Sequence, residues 1–119
     1  MARKDIIPDD AVVVRGGQNR ADDIRRATGT HPSGVTGISV QCAANTVIEV
    51  LASGIPHGRI GVCSVGEVRA AGGDVIRTSG RNEYHATLTG LTPEEASRLL
   101  QPTIPNPARA NDANEDNDA

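Results

Sequence analysis

A chain of 119 residues, 37% of them hydrophobic, has the size of one small domain, which excludes a two-domain enzyme on a large cofactor-binding scaffold. Tyr84 is its only aromatic residue, so the core must be aliphatic, and base stacking on several rings is excluded as a way to bind nucleic acid. The net charge of −3 resides in the last 13 residues, so the body is neutral and does not favour nucleic acid or anionic membranes as partners.

Composition predicts three segments along the chain. Residues 1–10 form an N-terminal arm, residues 11–106 a single α+β domain, and residues 107–119 a disordered acidic tail that is too polar to order itself. The first residues lack the apolar run of a signal peptide, and no run elsewhere has the length of a membrane span. We therefore expect a cytoplasmic protein that makes no membrane contact.

The first predicted elements are a strand and a helix. Ala11–Arg15 is apolar and β-branched, and two glycines stop it at an open turn. Asn19 can then cap a short helix over residues 21–27. After a loop, small or polar residues alternate with apolar ones over residues 37–42, which predicts a strand. One face of this strand carries Ile38, Val40 and Cys42, and the other carries Ser39 and Gln41.

The second half is predicted to alternate between short helices and strands. Residues 45–53 carry apolar side chains at helical spacing, although the neighbouring Val50 also allows a strand there, and residues 59–63 are predicted to form a strand. Two capping boxes, Ser64 with Glu67 and Thr92 with Glu95, predict helices that start after the capping residue. Between these helices, strands are predicted at 74–77 and 84–89, the latter with Tyr84, Ala86 and Leu88 on one face and His85, Thr87 and Thr89 on the other.

These elements predict a mixed α+β fold. We expect a small, mostly antiparallel sheet of about five short strands with three or four short helices. Cys42 and Cys63 lie in apolar strand-like stretches without CxxC spacing, which indicates two reduced, buried thiols. The three histidines lack matched spacing as well, so no metal site is expected.

Three polar features lie on or beside the predicted strands. Arg15, followed by Gly16, could anchor a phosphate or carboxylate, or could simply pair with an aspartate at a strand end. Ser39 could line a cleft or be a solvated strand residue. His85 and Thr87 share a face, where an imidazole could act as general acid or base and a hydroxyl could orient a phosphate oxygen; the alternative is a histidine on a solvated face.

The other two histidines are interpreted as turn residues. His57 lies between Pro56 and Gly58, and His31 precedes a proline. His85-Ala-Thr-Leu fits the H-x-T-x pattern of two-histidine phosphoesterases, whose mechanism needs a second copy. The only other candidate copy, at His31, is predicted to lie in a loop.

Three short motifs, Val-Val-Val-Arg15-Gly-Gly, Gly37-Ile-Ser39-Val-Gln and Tyr84-His85-Ala-Thr-Leu, resemble small ADP-ribosyltransferase-like toxins of type VI secretion and polymorphic toxin effectors. In that family an arginine on the first strand, a G-x-S strand and a late polar strand surround the NAD site. The resemblance implies a bacterial toxin that uses NAD as its substrate and is neutralised by a cognate antitoxin or immunity protein.

The resemblance also implies roles for individual residues. Arg15 would bind the NAD phosphates or ribose, Ser39 would position the nicotinamide ribose, and Tyr84 or His85 would lie at the reacting carbon. Many members place a catalytic Glu two residues after a Gln or Glu, whereas Glu83 follows Arg81 at that spacing. This departure puts the role of Glu83 as the catalytic carboxylate in doubt.

Two other function classes compete with this hypothesis. One is a metal-independent ribonuclease toxin that uses His57 and His85 as acid and base, with Arg59 stabilising the negative charge that develops on the phosphorane. The other is a non-catalytic module that buries its aliphatic face in a homo-oligomer. In that module Ser39, His85 and Thr87 would be interface or surface residues.

Overall fold

The computed structural model describes residues 6–109, which form seven strands and four α-helices. In chain order they are β1 (Val12–Gly16), α1 (Ala21–Ala27), β2 (Gly29–Thr30), β3 (Thr36–Ala43), α2 (Ile48–Ala52), β4 (Arg59–Ser64), α3 (Val65–Ala70), β5 (Asp74–Arg77), β6 (His85–Thr89), α4 (Pro93–Leu100) and β7 (Ile104–Pro105), followed by a short 3-10 turn at Pro107–Arg109.

The strands form one antiparallel sheet. Its order is β5-β6-β3-β1-β4-β7, and β2 pairs separately with β3. The prediction of a mixed α+β fold with a mostly antiparallel sheet is confirmed. The two strands beyond the expected five are β2 and β7, which are only two residues long and carry no alternating pattern.

Helices cover the two faces of the sheet unequally. We call one side the three-helix face, because α1, α3 and α4 bury the larger core cluster on it with residues such as Val13, Cys42 and Leu88. The other side is the α2 face, where Val14 and Ile60 pack against α2 in a smaller cluster. The short helix α2 leaves the β3 and β6 part of its face to polar side chains.

Strand register places four of these polar side chains together. Ser39 pairs with Thr87 and Gln41 pairs with His85, and Gln41 also lies opposite Val14 on β1. Because paired residues of antiparallel strands point to the same side, all four belong to the α2 face. The predicted polar face of β3 thus continues across β6.

Local sequence signals predicted the positions of most of the helices. Both capping boxes are present, with the Ser64 and Thr92 hydroxyls accepting from the backbone N–H of the glutamate three residues later. The helix predicted over 45–53 is shorter and begins at Ile48. The predicted cap of α1 is wrong, since Arg20 is the N-cap and Asn19 is buried in a left-handed conformation with φ of 57°.

Tyr84 does not lie on the strand face that the sequence predicts for it. It lies just before β6 and packs against the smaller cluster, whereas Ala86 and Leu88 belong to the larger one. The prediction that these three residues share a face is therefore wrong, because the strand begins at His85, one residue later than the alternation suggested.

The two terminal segments predicted to flank the domain lie partly outside the described residues. Of the arm, residues 1–5 lie outside, while Ile7 is buried in the larger cluster and Asp9 pairs with Arg69 at 2.6 Å. Of the acidic tail, residues 110–119 lie outside. Both cysteines are free and buried, as predicted.

Candidate functional site

The sheet has a gap on one edge of β3, at Ser39. The ladder with β1 ends at Gln41, and the ladder with β2 ends at Gly37. Of the strands that the structure describes, none pairs with β3 between these two points on this side. The Ser39 carbonyl instead accepts a hydrogen bond of 2.7 Å from Nη1 of Arg15. The guanidinium of Arg15 therefore occupies the place of a missing strand, and we call this position the sheet gap.

One nitrogen of the Arg15 guanidinium, Nε, is buried and has no hydrogen bond in the described structure. Burial lowers the pKa of the guanidinium, and the charge of Asp23 partly opposes this effect. A buried N–H normally has a hydrogen-bond partner, so Nε of Arg15 is an exception among the buried polar atoms.

Three hollows that share lining residues lie around the sheet gap, and we call them together the cleft. The largest, which we call the arginine hollow, has a volume of about 460 Å³ and includes Arg15, Gly16 and His57 in its wall. The central hollow, about 210 Å³, shares these three residues and adds Ser39. The third, the Thr87 hollow of about 180 Å³, shares Ser39 with the central one. Arg15 and Ser39 therefore lie where the hollows join.

The arginine hollow is strongly cationic. Its wall contains four arginines and one carboxylate, namely Arg15, Arg20, Arg26, Arg59 and Asp23. Four positive charges and one negative charge give the wall a net charge of +3 when His57 is counted as uncharged. The carboxylate binds two of the arginines, with Arg20 at 2.9 Å and Arg26 at 2.6 Å. The hydrogen bond from Arg20 lowers the pKa of Asp23. Such a wall suits a ligand that carries several negative charges.

Gly16 is required by close packing at the cleft. A Cβ atom at this position would lie 2.5 Å from Cγ2 of Ile55 and 2.6 Å from Cδ2 of His57. Both neighbours belong to the segment between α2 and β4, so this segment lies directly on the end of β1. Gly17 has φ of 95°, which favours glycine for a different reason. The two glycines let the chain turn sharply at the wall of the cleft.

Polar side chains fix the turn that follows β1. Nδ2 of the buried Asn19 donates to the carbonyls of Arg15 at 3.0 Å and Gly17 at 3.2 Å. From the end of α4, the hydroxyl of Ser97 donates to the Asn19 carbonyl at 2.7 Å, and Gln101 donates to the carbonyl of Gln18 at 3.0 Å. These bonds hold the backbone that presents Arg15.

Ser39, Thr87 and Gln41 form the polar floor of the cleft on the α2 face. Ser39 is exposed, and Thr87 is buried with its hydroxyl 2.9 Å from that of Thr78. Oε1 of Gln41, which lines the central hollow, is buried without a partner among the described residues. Of the residues predicted for the site, Arg15, Gly16, Ser39 and Thr87 each line at least one of the three hollows.

The residues predicted to be catalytic lie beside this cleft. His85, Tyr84 and Glu83 are absent from the walls of the three hollows. Nδ1 of His85 lies 3.0 Å from the Thr78 hydroxyl and 3.2 Å from its carbonyl. Glu83 is exposed in the turn that precedes β6.

His31 is the histidine that approaches His85. Their ring centroids are 5.9 Å apart, but both nitrogens of His31 are engaged. Its Nδ1 accepts from the N–H of Ser33 at 2.9 Å, so its Nε2 is the donor to the Ser79 carbonyl at 2.7 Å. With neither nitrogen of His31 free, the pair lacks the arrangement that the two-histidine phosphoesterase pattern requires.

His57 and the arginines of α1 are the site residues that the sequence did not identify for this cleft. His57 lines both the arginine hollow, together with Arg59, and the central hollow, whereas His31 lines the Thr87 hollow. Arg20 and Arg26 flank Asp23 at spacings of three residues on α1, which was a visible signal. Only the fold shows that this helix faces Arg15.

Neither a metal site nor a bilayer-spanning helix is found among the described residues, 6–109. They hold no group of three or more His, Cys, Asp or Glu side chains placed to bind a metal ion. Within the same residues, no helix combines the length and the apolar character that crossing a bilayer would require. In comparisons with known proteins, no protein-family model, curated protein or solved structure matches the chain.

Proposed function

We propose that the chain binds NAD in this cleft and is a bacterial toxin domain that transfers ADP-ribose from NAD to an intracellular target, or hydrolyses NAD. The observation that carries the proposal is the position of Arg15. Its guanidinium lies in the sheet gap with an unused buried Nε, between a cationic hollow and a hollow lined by Ser39. A pyrophosphate flanked by two ribosides matches that arrangement of charge and hydroxyl groups.

The binding roles follow from the order of residues along the cleft. Arg15 holds the pyrophosphate, and Gly16 forms the neighbouring wall, where Ile55 and His57 pack closely against it. Ser39 and Thr87 offer hydroxyls to the nicotinamide ribose, and the unpaired Oε1 of Gln41 offers an acceptor to a hydroxyl or amide N–H. In this arrangement the nicotinamide half lies over the α2 face.

The reaction breaks the bond between the anomeric carbon of that ribose and the nicotinamide nitrogen. Nicotinamide leaves with the bonding electron pair, and the target group or water bonds to the carbon and loses a proton. The only carboxylate that lines the three hollows in the described structure is Asp23, at the far end from Ser39. Catalytic roles for His85, Tyr84 and Glu83 therefore require the turn before β6 to move toward the bound ligand.

Inducible expression in a bacterial host tests this proposal. We expect growth arrest and a fall in cellular NAD, and we expect Arg15→Ala to abolish both effects while Arg98→Ala, an exposed arginine outside the three hollows, leaves them intact. Coexpression of a cognate antitoxin or immunity protein that covers the cleft should restore growth. Unchanged growth and NAD in cells that contain the folded wild-type protein would contradict the proposal.

A second candidate is the homo-oligomeric binding module. It is favoured by an apolar patch at α2, where Val47 is 65% exposed and Val50 is 41% exposed. Burial of two such side chains in an interface would contribute stability. Sedimentation of the wild type and of a Val47→Ser/Val50→Ser variant tests this candidate. A wild type that sediments as a monomer at all accessible concentrations would argue against it.

A further inference from the structure

The arginine hollow extends the cleft beyond the part that NAD itself requires. With the nicotinamide ribose at Ser39 and the pyrophosphate at Arg15, the adenosine half of the dinucleotide continues into this hollow. Ser39 and Thr87 are absent from its wall, which instead carries three further arginines, Arg20, Arg26 and Arg59. The hollow therefore faces the end of the ligand that the proposed function does not explain.

The chemistry of the wall does not match an uncharged adenosine. Adenine and ribose are normally held by apolar or aromatic surface with a few polar groups. The residues that line the arginine hollow include no aliphatic side chain, and their only ring is the imidazole of His57. The net charge of +3 also exceeds the two negative charges of a pyrophosphate. The wall is suited to an additional anionic group near the adenosine.

The arginines are placed to exchange their present partner for such a group. Arg20 and Arg26 share the single carboxylate of Asp23, and their side chains are 68% and 70% exposed. Exposed ion pairs contribute little to stability, so their rearrangement costs little. The planar guanidinium can bind two oxygens of a phosphate at once. Arg59 lies on the opposite wall, with its guanidinium bound to Thr103.

Building on the proposed function, we infer that the arginine hollow binds a phosphate monoester on the adenosine ribose, so that the preferred ligand is NADP rather than NAD. Arg20 and Arg26 on α1 are the residues that select for this phosphate. Asp23 limits the selection, because its carboxylate competes with the phosphate for the same two guanidinium groups.

Calorimetric titration of the full-length chain with NADP and with NAD tests the inference. We expect NADP to bind at least about tenfold more tightly than NAD, the gain from a set of charge-assisted hydrogen bonds. In an Arg20→Ala/Arg26→Ala variant the affinity for NADP should fall more than the affinity for NAD, so that the preference disappears. Asp23→Asn should increase the affinity for NADP.

Arg25→Ala provides the matched control. Arg25 lies on the same helix but outside the arginine hollow, and it pairs with Asp22 and Glu94. The variant should keep the preference for NADP, with circular dichroism showing that every variant is folded. Equal affinities of the wild type for NADP and NAD would overturn the inference and leave the proposed function standing. Failure of the folded wild type to bind either dinucleotide would overturn both.

Discussion

Arg15 supports the fold and the cleft through different nitrogen atoms. Nη1 donates to the Ser39 carbonyl, which lacks a strand partner on that side of β3, while the buried Nε has no partner among the described residues. A lysine has only one side-chain nitrogen and no planar group, so it could not bond the Ser39 carbonyl and a ligand in the same way. Arg15 thus closes a gap in the sheet and, in the proposed function, also binds the ligand.

Substitutions of Arg15 should separate the contribution of its charge to NAD binding from the contribution of its planar geometry. We expect Arg15→Ala to weaken NAD binding by about 10- to 100-fold, since a hydrogen bond to a charged group contributes about 1.5–3 kcal/mol. Arg15→Lys keeps the charge and should recover only part of this loss. Titration calorimetry on the purified variants measures both effects. An affinity that is unchanged in Arg15→Ala would show that NAD binds elsewhere.

The two cysteines should be inert at neutral pH. Burial raises the pKa of Cys42 from 9.0 to about 11 and that of Cys63 to about 12. Because the thiolate is the reactive form, iodoacetamide at pH 7.5 should modify neither thiol in the native protein and both in denaturant, as read by mass spectrometry. Rapid alkylation of either native thiol would contradict their burial.

The same pKa values predict loss of stability in alkali. The folded thiols hold their protons more tightly than the unfolded ones, so their contribution is complete below pH 9 and is lost as the pH rises through about 11 and 12. Urea unfolding at several pH values should show a smaller alkaline decline in a Cys42→Ala/Cys63→Ala variant. An equal decline in both proteins would count against this linkage.

At the scale of elements, helix α4 fixes the turn between β1 and α1. Ser97 on α4 donates to the carbonyl of Asn19, 78 residues away in sequence, and Asn19 in turn bonds the carbonyls of Arg15 and Gly17. The end of β1 is therefore placed by a helix from the other end of the chain.

Asn19→Ala should destabilise the protein by about 2–4 kcal/mol. Two carbonyls lose a buried donor, and alanine also disfavours the left-handed φ of 57° that asparagine tolerates. Asn19→Gly removes the same hydrogen bonds without the backbone penalty and should cost less. Urea unfolding measures both variants. A loss below about 0.5 kcal/mol in Asn19→Ala would show that the turn does not depend on these bonds.

Local sequence signals predicted the helices and strands well, but they did not predict which residues distant in sequence would contact each other. The capping boxes at Ser64 and Thr92 involve residues three apart, so the sequence displays them directly. The role of Asn19 depends on Ser97 and could not be seen in the same way. For this reason a residue predicted as a helix cap is instead a buried anchor of the candidate site.

At the scale of the whole molecule, the fold class was predictable because alternation and capping recur along the chain. The cleft was only partly predictable. Arg15 and Ser39 were identified as polar residues on strands, but the sheet gap that joins them exists because two ladders on β3 end before they meet. Strand pairing of this kind is set by tertiary contacts, and it also brings α1 with Arg20 and Arg26 beside the cleft.

A crystal structure of the full-length chain with a non-hydrolysable NAD analogue tests the central claim most directly. The account predicts the pyrophosphate within hydrogen-bond distance of the Arg15 guanidinium, the nicotinamide ribose beside Ser39 and the adenosine half in the arginine hollow. A dinucleotide bound on another surface, with the sheet gap holding no part of it, would contradict the account.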